Sequence, residues 1–182
     1  TLVYVDDVRG AILADAQALR EHKGADFSSL KSVFVGDANN VYNSWLNFAT
    51  KVPLNLTLVC PSEYSPEAAR LEAARPQCKG EIVVTHDIEE GLKNADAVYT
   101  DVWASMGQEE ETAKRERIFA PYQVNEAMMK LANADAVFMH CLPAHRGSEV
   151  THGVMDGPQS IAFDEAENRL HAQKAVLATL MG

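Results

Sequence analysis

The chain has 182 residues, of which 47% are hydrophobic and 23% charged, and it carries a formal net charge of −10. This composition is that of one globular domain large enough to fold without disulfides, and the negative charge disfavours nucleic acid as a partner because phosphate backbones require clustered Lys and Arg. Three widely spaced cysteines favour a reducing, cytoplasmic location, and no apolar run reaches the roughly 18 residues of a membrane span.

Short runs of apolar and β-branched residues alternate with longer helical patterns along the chain. The strand candidates are residues 33–37, 56–60, 82–85, 97–101, 136–140 and 160–163. The helix candidates are residues 11–21, 39–50, 66–75, 88–92, 109–118, 124–132 and 165–180, with Ser65 as the N-cap and Pro66 as the first residue of the third. This alternation predicts an α/β fold: a doubly wound, mainly parallel, Rossmann-like sheet flanked by helices in three layers.

Polar segments follow several of the predicted strands, and ligands of open α/β sheets bind beyond the carboxyl ends of the strands. Residues 36–40 read Gly-Asp-Ala-Asn-Asn, with one glycine where a dinucleotide fingerprint needs three. The Asp and Asn side chains of this segment either cap the next helix or offer hydrogen-bond donors and acceptors to a zwitterion.

Residues 101–107 read Asp-Val-Trp-Ala-Ser-Met-Gly. A carboxylate such as Asp101 at the end of a buried strand is costly unless a cation accompanies it, and a substrate ammonium group would supply that cation. An N-cap or a structural Asp–Arg pair is the alternative. Ser105 adds a hydroxyl, Met106 a pliable apolar contact and Gly107 a flexible hinge.

Residues 140–147 read His-Cys-Leu-Pro-Ala-His-Arg-Gly, the most specific string in the chain. Cys141 is either a small buried hydrophobe or, beside two histidines and an arginine, a reactive thiolate. A zinc site built from His140, Cys141 and His145 is disfavoured because structural zinc takes four closely spaced ligands. We therefore expect no metal here.

Residues 164–169 read Asp-Glu-Ala-Glu-Asn-Arg, a pattern typical of a helix that begins with an acidic first turn. If Asp164 caps this helix, Arg169 lies about one turn further, on the side that faces the strand ends. A guanidinium group there can bind phosphate or carboxylate through two parallel hydrogen bonds.

These four strings, in this order, resemble the C-terminal, ornithine-binding domain of the ornithine carbamoyltransferases. The similarity extends through residues 119–125 and 163–166 and is nearly continuous from about Ile12 onward. The Ser-Met-Gly and His-Cys-Leu-Pro strings together point to ornithine rather than aspartate. The resemblance implies transfer of the carbamoyl group of carbamoyl phosphate to the side-chain amine of L-ornithine, giving L-citrulline and phosphate in arginine metabolism, without a metal or a cofactor.

The same resemblance implies roles for individual residues. Ornithine binding falls to Asn40, Asp101, Ser105 and Met106, carbamoyl-phosphate binding to Cys141, Leu142 and Arg169, and catalysis to Asp101, Cys141 and Arg169. The loop around residues 105–107 resembles the family's substrate-closing loop.

Two parts of the family pattern are absent from the sequence. These are the first domain with its Ser-Thr-Arg-Thr phosphate loop and the His-Pro-x-Gln string expected ahead of Ile12, where residues 8–11 read Val-Arg-Gly-Ala. We therefore treat residues 1–11 as an atypical segment and 12–182 as the ornithine-binding domain, and expect the isolated chain to bind ornithine weakly and to be inactive alone.

The expected partners are the two substrates and the carbamoyl-phosphate-binding domain of the same enzyme, with a trimer implied by the family. We expect the helices at residues 11–21 and 165–180 to present apolar faces to that domain, through Leu170, Val176, Leu177 and Leu180. Two other functions remain open: a non-catalytic amino-acid-binding or interaction domain of the same fold, and a nucleotide-binding domain, which lacks the glycine fingerprint.

Overall fold

The computed structural model describes residues 7–24, 26–103 and 109–181. Five strands form one sheet: β1 (Lys31–Val35), β2 (Asn55–Val59), β3 (Ile82–Thr85), β4 (Ala97–Thr100) and β5 (Val137–His140). All neighbouring pairs are parallel and the strand order is β3-β2-β1-β4-β5. The chain thus builds outward from β1 in one direction and then returns to build in the other, which confirms the predicted doubly wound sheet.

Helices connect the strands. The α-helices are α1 (Asp7–Lys23), α2 (Asn40–Ala49), α3 (Ala68–Ala74), α4 (Ile88–Leu92), α5 (Glu109–Phe119), α6 (Glu126–Met129), α7 (His152–Met155) and α8 (Ala162–Met181). Short 3-10 turns lie at Phe27–Ser29, Ser62–Tyr64, Arg75–Gln77 and Ala120–Tyr122. Within the described residues, no helix is both long enough and apolar enough to cross a bilayer.

The core has two halves, one on each face of the sheet, because successive strand residues point to opposite faces. Phe34 of β1 packs with Trp45 of α2 and Leu19 of α1. Its neighbours Val33 and Val35 pack on the other face, in the cluster that contains residues of α4, α6 and α7. The two halves confirm the three predicted layers.

The register of β1, β4 and β5 brings their last residues side by side. Val35 of β1 pairs with Thr100 of β4, and Thr100 pairs with His140 of β5. The residues that follow these strands therefore emerge at one edge of the sheet. The gap between β1 and β4 is the point where the strand order reverses, which is where open α/β sheets bind ligands.

One predicted element, the sixth strand, and one predicted helix start are wrong. The sixth strand, 160–163, contributes a single bridge between Ser160 and Phe138, and the chain then enters α8 at Ala162, where an acidic first turn suits the helix dipole. The helix predicted at 66–75 begins only at Ala68, and Ser65 does not cap it. The Ser65 hydroxyl instead donates to the carbonyl of Ser62 (3.0 Å) and closes the preceding 3-10 turn.

The two long helices differ in how they bury their apolar residues. On α8, Leu170, Leu177 and Leu180 are 59%, 56% and 54% exposed, as expected, while Val176 is half-buried. On α1, most apolar residues are buried against the domain itself, and Leu13, at 42%, is the exposed leucine. The expected exposed apolar face is therefore present on α8, whereas most of the α1 apolar residues are buried. That another domain covers the α8 face stays a prediction.

Candidate functional site

Three side chains from three segments meet at the edge where β1, β4 and β5 end. Asp101, directly after β4, accepts a hydrogen bond from the Asn39 side-chain amide through Oδ2 (2.7 Å). Its Oδ1 accepts the Cys141 thiol (3.1 Å) and its own neighbour, the backbone N–H of Val102 (2.8 Å). The predicted juxtaposition of Asp101 with Cys141 is thus present, at the point where the strand order reverses.

The Asn39 side chain makes hydrogen bonds in two directions. One of them shows that residues 36–40 cap the next helix, as one of the two interpretations of this segment predicted. Its Oδ1 accepts the backbone N–H groups of Val41 and Tyr42 and so caps α2. Because the oxygen is committed to the cap, the amide nitrogen must face Asp101. Gly36, with φ +146°, lets the chain leave β1 toward this cap. Asn40, the predicted ligand residue, lies one position further and is exposed.

The donors that reach Asp101 within the described part of the chain are all uncharged. The structural Asp–Arg pair considered for Asp101 is formed instead by Asp37, whose carboxylate accepts the Arg115 guanidinium. Arg115 also donates to the carbonyl of Trp103 and lies 4.7 Å from the Tyr64 ring centroid. Arg115 thereby ties α5 to the segments that follow β1 and β4.

The surroundings of Cys141 favour a thiol that keeps its proton over the alternative of a reactive thiolate. Burial raises its pKa, and the negative charge of Asp101 together with the hydrogen bond to that carboxylate raises it further. The positive residues that suggested a thiolate point elsewhere: Arg146 pairs with Asp156 (2.7 Å). Cys141 acts here as a hydrogen-bond donor that orients the Asp101 carboxylate.

The His140 side chain fixes the turn that carries Cys141 and Leu142. Its Nδ1 accepts the backbone N–H of Leu142 (2.9 Å), so the ring proton lies on Nε2, which faces Glu149 Oε1 (3.3 Å). Burial favours a raised pKa for Glu149, but hydrogen bonds from His140 and the His145 backbone outweigh it and the net pKa is lowered. Both His140 nitrogens are therefore engaged within the fold.

Leu142 adopts a left-handed backbone conformation, with φ 55°. For a residue with a side chain this costs about 1 kcal/mol or more. The bond to His140 and the packing of Leu142 against the core cluster that contains Val33 and Val35 hold the conformation in place. Such outliers cluster at ligand sites, which makes the Cys141–Leu142 turn part of the candidate site.

The remaining predicted site residues are Arg169, Ser105 and Met106. Arg169 is on α8, where its positive charge acts on the buried Asp15 carboxyl. Ser105 and Met106 lie outside the described residues.

Among the described residues, no group of three His, Cys, Asp or Glu side chains is arranged to hold a metal ion. Sequence reasoning did not identify Asn39 as a partner of Asp101, nor Arg115, Glu149 or Asp15.

Comparison with known proteins decides the family. The model of the aspartate/ornithine carbamoyltransferase Asp/Orn-binding domain matches residues 28–180. The chain belongs to the aspartate/ornithine carbamoyltransferase family. Its sequence is 51% identical over 170 residues to the ornithine carbamoyltransferase of Syntrophus aciditrophicus (strain SB), covering 93% of this chain and 56% of that protein. It is 54% identical over 170 residues to that of Chlorobaculum tepidum, covering 93% and 50%.

Solved structures of this family agree with the fold. The ornithine carbamoyltransferase of Pyrococcus furiosus superposes with a TM-score of 0.85 at 46% identity, covering 93% of this chain and 55% of that one. An acetylornithine transcarbamylase complexed with acetylcitrulline gives 0.82 at 37% identity, covering 95% and 56%. The chain spans about half the length of the curated relatives it matches, and that half is the Asp/Orn-binding domain.

Proposed function

We propose that this chain is the ornithine-binding half of an ornithine carbamoyltransferase. The observation that carries the proposal is the Asp101 carboxylate, which uncharged donors orient but do not neutralise. A part-buried carboxylate in this state favours a cation beside it, and the side-chain ammonium of L-ornithine is such a cation. The names of the two similar relatives reported above support the same substrate.

The proposed reaction forms a bond between the ornithine side-chain nitrogen and the carbamoyl carbon, releases phosphate and gives L-citrulline. The amine must first lose a proton. Because Cys141 already carries its proton, Asp101 is the acceptor available beside it, and the Cys141 thiol keeps the Asp101 carboxylate in place. Asn40, Ser105 and Met106 are proposed to hold the rest of the ornithine molecule, as their match to family positions implies.

Carbamoyl phosphate is proposed to meet ornithine at the Cys141–Leu142 turn, with Arg169 contributing positive charge toward phosphate. The remaining donor contacts would come from the part of the relatives that this chain does not span. Catalysis would rest on alignment of amine and carbon, which supplies about 7–11 kcal/mol in well-oriented reactions. A reaction of this kind runs on positioning by protein groups, without a metal or redox cofactor.

The carbamoyl-phosphate-binding domain is the proposed partner of the exposed leucines on α8. Leu170, Leu177 and Leu180 are apolar surface that an isolated domain leaves in water. By the family resemblance, the complete enzyme is proposed to be a trimer in the cytoplasm, a compartment that suits the free thiols of Cys60, Cys78 and Cys141.

A citrulline assay separates this function from a non-catalytic amino-acid-binding domain. The chain is incubated with L-ornithine and carbamoyl phosphate, with and without a separately supplied carbamoyl-phosphate-binding half. We expect citrulline only in the mixture. Activity of the chain alone would contradict the proposal that carbamoyl phosphate is bound mainly by the other half of the enzyme. Inactivity of an assembled mixture would favour the non-catalytic alternative.

Substrate choice is tested by calorimetric titration of the chain with L-ornithine, N-acetyl-L-ornithine and L-aspartate. The acetylated amino acid is included because one similar structure is complexed with acetylcitrulline. We expect L-ornithine to bind at least about tenfold more tightly than the other two, a difference of about 1.4 kcal/mol. A preference for either competitor would overturn the choice of ornithine.

A further inference from the structure

Two carboxyl groups lie buried together behind the candidate site. Asp15 of α1 and Glu165 of α8 are 1% and 2% exposed and are hydrogen-bonded to each other. Two carboxylates cannot approach in this way without sharing a proton, since like charges in a buried site repel strongly. Glu165 Oε1, which takes no N–H or O–H donor among the described residues, agrees with a carboxyl–carboxyl bond.

Both carboxyl groups are buried, and the groups around each one indicate which of the two holds the proton. Burial raises the pKa of Glu165 well above its usual range, and the negative charge of Asp15 raises it further. Burial raises the pKa of Asp15 too, but hydrogen bonds from Glu165 and Tyr99 and the positive charge of Arg169 oppose the rise. Glu165 is therefore the protonated partner, and Asp15 becomes the ionised acceptor as the pH rises above about 7.

Each partner holds a different strand of the site. The Tyr99 hydroxyl of β4 donates to Asp15 Oδ2 (3.1 Å), and Tyr99 lies two residues before Asp101. Glu165 Oε2 accepts the backbone N–H of His140 (3.1 Å), the residue directly before Cys141. The shared proton thus closes a chain of contacts that runs from β4 through α1 and α8 to β5.

We propose that Asp15 and Glu165 are positioning residues for the candidate site: together they clamp the ends of β4 and β5 so that the Cys141 thiol faces the Asp101 carboxylate. The relevance of this clamp to ornithine rests on the proposed function. The charged and titratable groups around the pair are Tyr99 on β4, Arg169 on α8 and Cys141 at the end of β5, and Asp101 in turn acts on Tyr99 and Cys141.

Substitutions at Glu165 test the clamp. Glu165→Gln retains an acceptor for the His140 N–H and a donor for Asp15, so it should behave as the protonated wild type. Glu165→Leu leaves the His140 N–H without its acceptor, and a buried unpaired N–H destabilises the closed arrangement by a factor of about ten. Glu167→Leu, two residues along α8 and exposed, is the matched control.

The readouts are the iodoacetamide alkylation rate of Cys141, measured by peptide mass spectrometry, and hydrogen exchange of the His140 amide. Both should rise about tenfold in Glu165→Leu, stay within about twofold of wild type in Glu165→Gln, and remain unchanged in Glu167→Leu. Cys60, fully buried elsewhere in the core, is the internal reference. Equal acceleration at Cys60 and Cys141, no acceleration at Cys141, or failure of Glu165→Gln to rescue would each overturn the proposal.

An infrared measurement covers the case in which Glu165→Leu does not fold. At pH values above about 7, wild type should show the carbonyl band of a buried carboxylic acid. This band should be absent in Glu165→Gln and should shift in frequency in Asp15→Asn, in which Glu165 stays buried but loses its carboxylate acceptor. Absence of the band from wild type, or an unshifted band in Asp15→Asn, would refute proton sharing. None of these readouts needs ornithine, so their failure leaves the proposed function standing, whereas failure of the wild type to bind ornithine would refute that function and leave the clamp intact.

Discussion

Replacement of Asp101 by asparagine isolates the charge that the proposed function requires. The introduced amide would keep one oxygen as an acceptor, but its NH2 group would face the amide nitrogen of Asn39. Asn39 cannot turn its amide, because its oxygen caps α2. The hydrogen bond from Asn39 to the charged Asp101 carboxylate is therefore lost, but so is the cost of a part-buried charge without a cation. Since the two effects oppose each other, the free energy of unfolding should fall by only about 1 kcal/mol.

The effect of Asp101→Asn on ligand affinity should be larger than its effect on stability. A hydrogen bond to a charged group is worth about 1.5–3 kcal/mol, so the dissociation constant for L-ornithine should rise roughly 10- to 150-fold. Calorimetric titration measures the affinity and urea denaturation measures the stability of the same preparation. Unchanged affinity in a folded Asp101→Asn variant would refute the assignment of Asp101 as the ammonium partner.

Asp96→Asn is the matched control for this experiment. Asp96 lies at the opposite end of the same strand and accepts the Lys31 backbone N–H and the Asn133 side-chain amide, both at 2.8 Å. The substitution changes the net charge by the same amount far from the candidate site. Affinity for ornithine should therefore stay at the wild-type value, and an equal loss in both variants would point to overall charge instead of a local contact.

Three further outcomes follow from the contacts described above. Arg115→Met leaves the Asp37 carboxylate without its cation and should lower the free energy of unfolding by about 3 kcal/mol in urea; an unchanged midpoint would contradict the pairing. Burial raises the pKa of Asp15 from 3.8 to about 7, so its stabilising contribution is full at pH values below 3.8 and is lost as the pH rises through about 7. Asp15→Asn should flatten this part of the stability–pH curve, and an identical slope in both proteins would disprove the shift. The double variant Leu170→Ser/Leu177→Ser should self-associate less than wild type in sedimentation experiments, because both leucines are more than half exposed; identical sedimentation would count against that face as the sticky surface.

The sequence was sufficient to predict the sheet and the meeting of Asp101 with Cys141. Buried parallel strands are continuous apolar runs, and the residue after each run necessarily lies at the ligand-binding edge. The prediction of a sixth strand at residues 160–163 was wrong because a short apolar run is compatible with a strand or with the approach to a helix. Tertiary pairing at Ser160 and the acidic turn after Ala162 decided the outcome.

The residues that sequence reasoning missed are defined by partners far away in the chain. Glu165 was assigned to an acidic first turn of a helix, which is correct for its backbone. That assignment does not predict the contacts of its side chain with Asp15 and with the His140 backbone N–H. One signal was available for Asp15, since it interrupts an otherwise apolar helix face between Ala14 and Ala16. The choice between thiol and thiolate at Cys141 depended on the burial of its side chain and on its hydrogen bond to Asp101, and no local pattern specifies that burial.

A crystal structure of this chain with L-ornithine tests the central claim most directly. We predict that the side-chain nitrogen of ornithine lies within hydrogen-bond distance of the Asp101 carboxylate, next to the Cys141 sulfur, at the gap between β1 and β4. Ornithine bound with its side-chain nitrogen turned away from Asp101, or bound at another surface of the domain, would contradict the account.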